Sequence, residues 1–498
     1  MAETTAPRIE YFVLAAAILV GIAHRLIFGW FAPFWLDEAY TGVIATQPSV
    51  AGLIQWCRHE MSGPFYYGSM WVWERFAGDS NLALRLPSLI ASLGAVVLVA
   101  AYGGSNRRER WLWAGLTAIW LPGLLFVAQA RPQTLLFLLA TAQTIAFLRC
   151  IDTRSPRWLT IWSAIGALMI LTHIHAAVIT GLEFLCILWT LRPRLREIWP
   201  ALAIFGCVAA WLPLQLPFMT GILKPGAAWY PVLGVRDLWR VPFYLFGANL
   251  AAFAIVTIVL GILATQWVRR RSAGIPLPYA RSEVMLTVSA LLSVALVVGV
   301  GFLRPSFEPR YLIPYMPALL FGLTVVLCRT HLLLSLLPSI VLASWAGAAV
   351  QNVATYAAAD AQQALNPLEF ERGSDWLMHA NAHRVIFVWD NPTSQLGAQE
   401  RQTEVGAFFF RRAGYTVDVQ AIYLASDHQS ASNLAALADT RGAAILWVGG
   451  AIYPAGLHDM AQFDCRDFGG DTSRSIACIR KIGSATARVS ALQDRDRD

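Results

Sequence analysis

The sequence predicts a polytopic α-helical membrane protein that ends in a small α/β domain. Of its 498 residues, 57% are hydrophobic and only 14% charged, where soluble domains average about a quarter charged. The apolar residues fall in blocks of roughly 20, the length that crosses a bilayer as a helix. Beyond position 350 these blocks give way to short β-like runs separated by helical stretches. Twenty Trp and fourteen Tyr suit the aromatic belts of a membrane protein. The net charge of +7 is no nucleic-acid footprint, because the basic residues sit in the gaps between apolar blocks.

The first block, 11–30, is too long for the h-region of a signal peptide, and no small-residue cleavage site follows it. It reads as a retained first span. Apolar periodicity then places about eleven helices near 11–30, 83–102, 111–127, 131–148, 158–171, 173–191, 199–218, 247–268, 284–303, 311–328 and 332–350. Pro122, Pro213 and Pro217 interrupt some of them, so neighbouring blocks can merge or split.

Arginine fixes the expected orientation. With a cytoplasmic N-terminus, the inward loops contain RRER, RCIDTRSPR, LRPRLRE, VRRRSAG and CRTH, each basic as the positive-inside rule requires. The loop 31–82 and everything after position 350 then face outward. This divides the chain into a membrane domain, 1–350, and an extracytoplasmic domain, 351–498. In the second, RVIFVWD, TVDVQAIY and AAILWVGG read as strands, with EVGAFFFRRAG and SNLAALADTRG as helices between them. Cys465 and Cys478 fall in a terminal hairpin-like stretch; an oxidising compartment would permit a disulfide there, and the sequence leaves its formation open. No CxxC or other zinc-ligand spacing occurs among the seven Cys.

Chemistry concentrates in the first outward loop. FWLDEAYTG places Asp37 and Glu38 directly after the first span. Carboxylates in an otherwise uncharged stretch at a membrane surface carry a desolvation cost, which marks them as functional candidates. The structural alternative is that Asp37 caps a helix beginning at AYTGVIAT. The same loop supplies His59 and Glu60, then Gly63-Pro64-Phe65-Tyr66-Tyr67 and LALRLPSLIASLG. Further on come ARPQTLLFLL, LTHIHAAV and FEPRYLIPYMPALL.

In this order and at these membrane depths, the segments resemble the GT-C glycosyltransferases, in particular the branch of protein O-mannosyltransferases and lipid A aminoarabinose transferases. The resemblance spans roughly residues 10–330. It implies an inverting transfer of a monosaccharide from a polyprenyl-phosphate donor to an acceptor outside the cytoplasmic membrane, whether glycolipid, envelope glycan or protein hydroxyl. It also implies that Asp37, a carboxylate of the first outward loop, is the general base, with Glu38 in support. A lipid-phosphate leaving group needs charge neutralisation rather than an acid. The outward-facing cations Arg85, Arg131, Lys224 and Arg310, with Tyr311 and His173, are the candidates for that clamp. Lys224 is one of only two lysines in the chain. Each Arg has a structural alternative as an interfacial anchor, and each His as a helix-packing residue. His59, Glu60, Tyr66, Tyr67 and His175 are expected to line the substrate cavity. A divalent cation, Mg²⁺ or Mn²⁺, on Asp37, Glu38 or His59 is left open.

Two departures from the family pattern bear on acceptor class and metal use. Ser62 stands where relatives carry the His of His-Pro-Pro-Leu-Tyr, and Gln133 follows Arg131-Pro132 where relatives carry Tyr or Asp. The rival classes are a transporter or flippase and a non-catalytic assembly subunit. Transporters favour internal repeats and mid-bilayer charges; here no repeat is visible and the charges lie at loops and outer helix ends. The sugar, the acceptor and the oligomeric state are not legible.

Overall fold

In the computed structural model the described residues are 8–27, 30, 32–192, 195–222, 232–247, 250–272, 278–329, 337–358, 370–390, 399–423, 434, 438–439, 442–450, 462–468 and 473–481. The chain divides into two compact units, Met1–Trp30 with Ile44–Ala358, and Phe31–Val43 with Ala359–Asp498.

The first unit is helical: α1 (Arg8–Ile27), then α2 (Leu36–Ala45), whose first part belongs to the second unit, α3 (Val50–Cys57), α4 (Pro64–Ala77), α5 (Asn81–Tyr102), α6 (Arg107–Ile119), α7 (Leu121–Leu125), α8 (Gln133–Thr153), α9 (Pro156–Thr172), α10 (Ala176–Leu191), α11 (Leu195–Ile222), α12 (Val241–Phe246), α13 (Leu250–Ser272), α14 (Arg281–Leu303), α15 (Met316–Cys328) and α16 (Leu337–Ala358). A 3₁₀ turn, Pro309–Tyr315, leads into α15. Among the described residues, seven helical stretches are long and apolar enough to cross a membrane, and Ala176–Leu191 is a shorter apolar helix. Four of the roughly eleven expected spans are not among the seven, and for three of them the cause is local; the fourth, 247–268, overlaps α13. The block 111–127 breaks into α6 and α7 ahead of Pro122, and the blocks 158–171 and 173–191 become helices of 17 and 16 residues.

The break at Pro122 shows how such irregular backbone is tolerated in an apolar interior. Pro122 has no N–H, so in a continuous helix Ala118 O would lack its donor. Arg25 of α1 supplies one: Nη1 donates to Ala118 O and to Gly21 O (2.8 Å), Nη2 to Thr117 O (3.2 Å), and Nε to Ser92 Oγ (2.8 Å). Gly21 makes the approach possible, because a Cβ there would lie 2.2 Å from Ala118 O.

At the opposite end of the bundle, loop arginines lock helix ends. Arg108 forms a two-bond pair with Glu10 (2.8 and 2.7 Å). Arg329, just past α15, bonds both carboxylate oxygens of Glu283 (2.6 Å each), Glu109 Oε1 (2.9 Å) and Pro278 O (2.6 Å). Glu283 caps its own helix through the Ala280 amide (2.7 Å), and Glu109 accepts from the amide and hydroxyl of Ser105 (3.0 and 2.6 Å).

The second unit contains a five-stranded sheet in the order β2-β1-β3-β5-β4, formed by β1 (Arg384–Asp390), β2 (Asp418–Tyr423), β3 (Ala444–Gly450), β4 (Phe463–Asp467) and β5 (Ser473–Arg480). β1 pairs in parallel with β2 and β3, while β5 runs antiparallel to β3 and β4. The helices are α17 (Phe370–His379) and α18 (Gln399–Arg412). Alternation along the strands drives Ile386, Val388, Ile445, Trp447 and Ile476 into one core. The three apolar runs read as strands are β1 to β3, and EVGAFFFRRAG falls in α18. Most of SNLAALADTRG lies outside the described residues. Cys465 and Cys478 sit directly opposite each other on β4 and β5 and are disulfide-bonded.

Candidate functional site

The acidic pair lies in the first turn of α2. Glu38 and Ala39 both donate to Trp35 O (3.0 Å each), so the helix begins ahead of Asp37. Asp37 is therefore not its cap, and AYTGVIAT continues a helix already started. Two carboxylates in a first turn are favoured by the helix dipole. Asp37 is half-buried and Glu38 fully buried.

In the first unit, the break between α9 and α10 gathers the other candidates. His173 ends α9 and His175 precedes α10. Their Nδ1 atoms are 3.3 Å apart. Tyr311, from the 3₁₀ turn, stacks on His175 with ring centroids 4.2 Å apart and lies 5.2 Å from His173. Tyr315, one turn on, donates its hydroxyl to His175 O (2.8 Å). Arg310 holds its guanidinium 6.0 Å from the Tyr311 ring. Arg131 and Arg310 both lie within electrostatic reach of His173. Two cations, two imidazoles and a phenol ring thus share one helix break.

The loop ahead of α4 docks on the same break. Ser62 bridges His173, and Gly63 N donates to Thr172 O (2.9 Å). Gly63 permits that approach, since a Cβ would sit 2.2 Å from Leu171 O. Pro64 then starts α4, where a missing N–H costs nothing. The helix buries Tyr66 and Tyr67, whose rings meet edge to face at 5.2 Å. Among the described residues, the fully buried Tyr67 hydroxyl has no hydrogen-bond partner, a costly state that a bound acceptor would relieve. Burial first, and then Glu60, raise its ionisation well above the ordinary tyrosine value, against the opposing charge of Arg131. Tyr67 is thus an O–H donor across any working pH.

The remaining candidates are dispersed. Arg85 is fully buried in α5 and donates to Trp30 O (3.1 Å), at the end of the first span. His59, in the turn after α3, bonds Gln55 O (2.9 Å) and sets its ring edge-on to Phe218. Glu60 presents its backbone carbonyl to Gln215. Lys224 lies outside the described residues. Among the described residues no group of three or more His, Cys, Asp and Glu side chains is placed to hold a metal ion.

A groove of about 360 Å³ opens beside the break. His175 and Ser306 are its polar lining residues, and Ala177, Val178, Leu296, Val297 and Val300 of α10 and α14 line it with Met61 and Met219. Sequence reasoning missed Tyr315, Ser306 and the groove walls. Tyr315 follows Tyr311 by one turn within FEPRYLIPYMPALL, a spacing that carries a weak signal. The walls carry none, being indistinguishable from any apolar helix face.

Neither a protein-family model nor a curated protein sequence matches the chain. Among solved structures, the chain is similar to ArnT from Cupriavidus metallidurans in the apo state, at 14% identity over 94% of this chain and 97% of that one, with a TM-score of 0.55. It is also similar to the same ArnT bound to undecaprenyl phosphate, at the same identity and coverage and a TM-score of 0.50. At this identity the likeness shows the fold alone: an ArnT-like helical bundle followed by a small sheet domain.

Proposed function

We propose that this chain is a glycosyltransferase that moves a monosaccharide from a polyprenyl-phosphate donor to a hydroxyl acceptor on the outer side of a bacterial inner membrane. The observation that carries the reading is the apolar groove of the first unit, which ends on the helix break where His173, His175, Tyr311, Arg310 and Arg131 gather. An isoprenoid chain needs a long apolar wall, and its phosphate needs fixed cations and donors. The neighbouring ArnT structure holding undecaprenyl phosphate supports this class of lipid. In this reading Arg310 and Arg131 neutralise the phosphate, the Tyr67 hydroxyl donates to it or to the sugar, and His173, His175 and Tyr311 shape the pocket floor. Arg85, buried against Trp30, acts through the first span rather than on the lipid.

Asp37 is the proposed base. It takes the proton of the acceptor hydroxyl as that oxygen attacks the anomeric carbon. The bond from that carbon to the phosphate oxygen breaks, its electron pair stays on the phosphate, and the configuration inverts. A positioned base of this kind contributes typically 10²–10⁴-fold. The five Arg-rich loops favour a cytoplasmic N-terminus and an outward second unit, where the Cys465–Cys478 bond would persist.

The test is incubation of purified protein with labelled polyprenyl-phosphate sugars and membrane extract, wild type beside Asp37→Asn. Transfer by the wild type, reduced at least 100-fold in the variant with donor binding retained, is expected. Undiminished transfer by Asp37→Asn removes the base assignment, and failure to bind any polyprenyl phosphate removes the function.

A further inference from the structure

The segment that carries the acidic pair belongs to the C-terminal unit. Residues Phe31–Val43 form one compact unit with Ala359–Asp498, across more than 300 positions of sequence. The joint is built from buried and half-buried side chains. Phe34 N donates to Glu371 Oε2 (2.7 Å), and the other oxygen of Glu371 accepts from Arg412. The Arg412 guanidinium lies over the rings of Phe409 (4.9 Å), Phe408 (5.5 Å) and Phe34 (5.8 Å). Gln402 of α18, itself 1% exposed, donates to the Tyr40 hydroxyl. Gly42 lies flush on Phe408, where a Cβ would come within 2.2 Å of the ring tip. Phe34, Leu36, Ala39, Tyr40 and Val43 are all buried, and Leu36, Ala39, Tyr40 and Val43 recur at the spacing of one helix face.

We infer that Glu371, Arg412 and Gln402 are positioning residues for Asp37, so that the C-terminal α/β unit fixes the acid of the first outward loop. The chemistry of the joint supports this. One carboxylate is shared between a backbone amide just ahead of α2 and a guanidinium clamped among three aromatic rings, which sets where the helix starts. Gln402 then fixes Tyr40, three residues beyond Asp37, and so sets the rotation of the same helix about its axis. Start and rotation together determine the direction of the Asp37 side chain. For a catalytic group, a displacement of about 1 Å is enough to cost on the order of 10²-fold. The inference rests on the proposed role of Asp37 for its kinetic consequence, but not for its geometric one.

Two measurements separate these. In the first, Asp37→Cys is introduced alone and together with Glu371→Ala or Gln402→Ala in the full-length protein, and labelling by a membrane-impermeant maleimide is timed against the wild-type background. Release of the segment raises the labelling rate at least ten-fold; equal rates with and without the second substitution overturn the inference. In the second, transfer is measured for Glu371→Ala, Glu371→Gln and Gln402→Ala with Asp37 intact. Expected are a fall in kcat of ten-fold or more for the alanine variants with donor KM within two-fold of wild type, and recovery to within three-fold for Glu371→Gln, whose amide oxygen still accepts from Phe34. A proportional loss of folded protein with kcat per folded molecule unchanged would overturn it. Altered labelling in a protein whose wild type transfers no sugar would uphold the joint and remove the proposed activity instead.

Discussion

Arg329→Ala is expected to destabilise the helical unit by about 3 kcal/mol. The side chain of Arg329 is 20% exposed, while those of its partners Glu109 and Glu283 are 2% and 9% exposed. Removing one member of a buried charged set costs roughly 3–5 kcal/mol, because the partners remain buried without compensation. The lower end applies here, since Glu109 keeps its two bonds from Ser105 and Glu283 keeps the Ala280 amide. Burial pushes the Glu109 carboxyl up, but the Ser105 bonds and the Arg329 charge outweigh it and hold it below the ordinary glutamate value. A depressed folded-state pKa gives stability that is fully present above the unfolded value of about 4.3 and is lost as pH falls through the folded one. Without Arg329 that loss begins at higher pH. The assay is thermal unfolding in detergent between pH 4 and 8, for which a drop of roughly 5–10 °C at neutral pH is expected. Replacing the whole set by Arg329→Met, Glu109→Gln and Glu283→Gln removes the charges together and should restore all but about 1 kcal/mol. A triple variant no more stable than Arg329→Ala would refute the reasoning, because the cost would then not come from stranded carboxylates.

Three further outcomes follow from the helix break. Arg310→Gln should weaken binding of undecaprenyl phosphate about 10- to 100-fold, the worth of a charged hydrogen bond of roughly 1.5–3 kcal/mol, with Arg310→Lys intermediate; native mass spectrometry titration reads both, and unchanged affinity would remove Arg310 from the phosphate site. Tyr67→Phe deletes a buried hydroxyl with no partner among the described residues, so the unliganded protein should melt at the same temperature or higher while donor affinity falls by about 1 kcal/mol. Because the Tyr67 phenol is raised well above its ordinary value, wild-type donor binding should show no tyrosine-like transition up to pH 10. Gly63→Ala places a methyl 2.2 Å from Leu171 O; displacement of the loop should cost roughly 1–3 kcal/mol and shift the fluorescence of nearby Trp71 and Trp73, and an unaltered spectrum and melting point would show that the loop yields freely.

The membrane bundle and the C-terminal strands were legible because period and composition are local properties: a block of apolar residues, an Arg-rich gap and a run such as RVIFVWD each declare themselves within ten to twenty positions. The helix break was half legible. LTHIHAAV and FEPRYLIPYMPALL stand out for polar and aromatic residues in apolar surroundings, but the stacking of His175 on Tyr311 joins positions that nothing in either segment pairs. The same holds for Arg329, which the topology rule reads as one more inward charge and which bonds a carboxylate 220 positions away. Least legible was the company kept by Asp37. Its neighbours in sequence are membrane helices, whereas residues 31–43 pack with the C-terminal unit, through a contact between positions 34 and 371 that no periodicity announces.

The plug at Pro122 ties three positions into one inherited choice. Gly21 makes the room, Arg25 supplies the donor, and Pro122 creates the vacancy that the donor fills. Were alanine to replace the proline, the amide at 122 would compete for Ala118 O and leave the buried guanidinium one acceptor short, with only Gly21 O, Thr117 O and Ser92 Oγ to bond. Reverting the arginine alone would leave the carbonyl stranded instead. Neither single step is comfortable, so related chains should keep all three residues or none, and a lineage that straightened this helix would have had to give up the arginine in the same stroke.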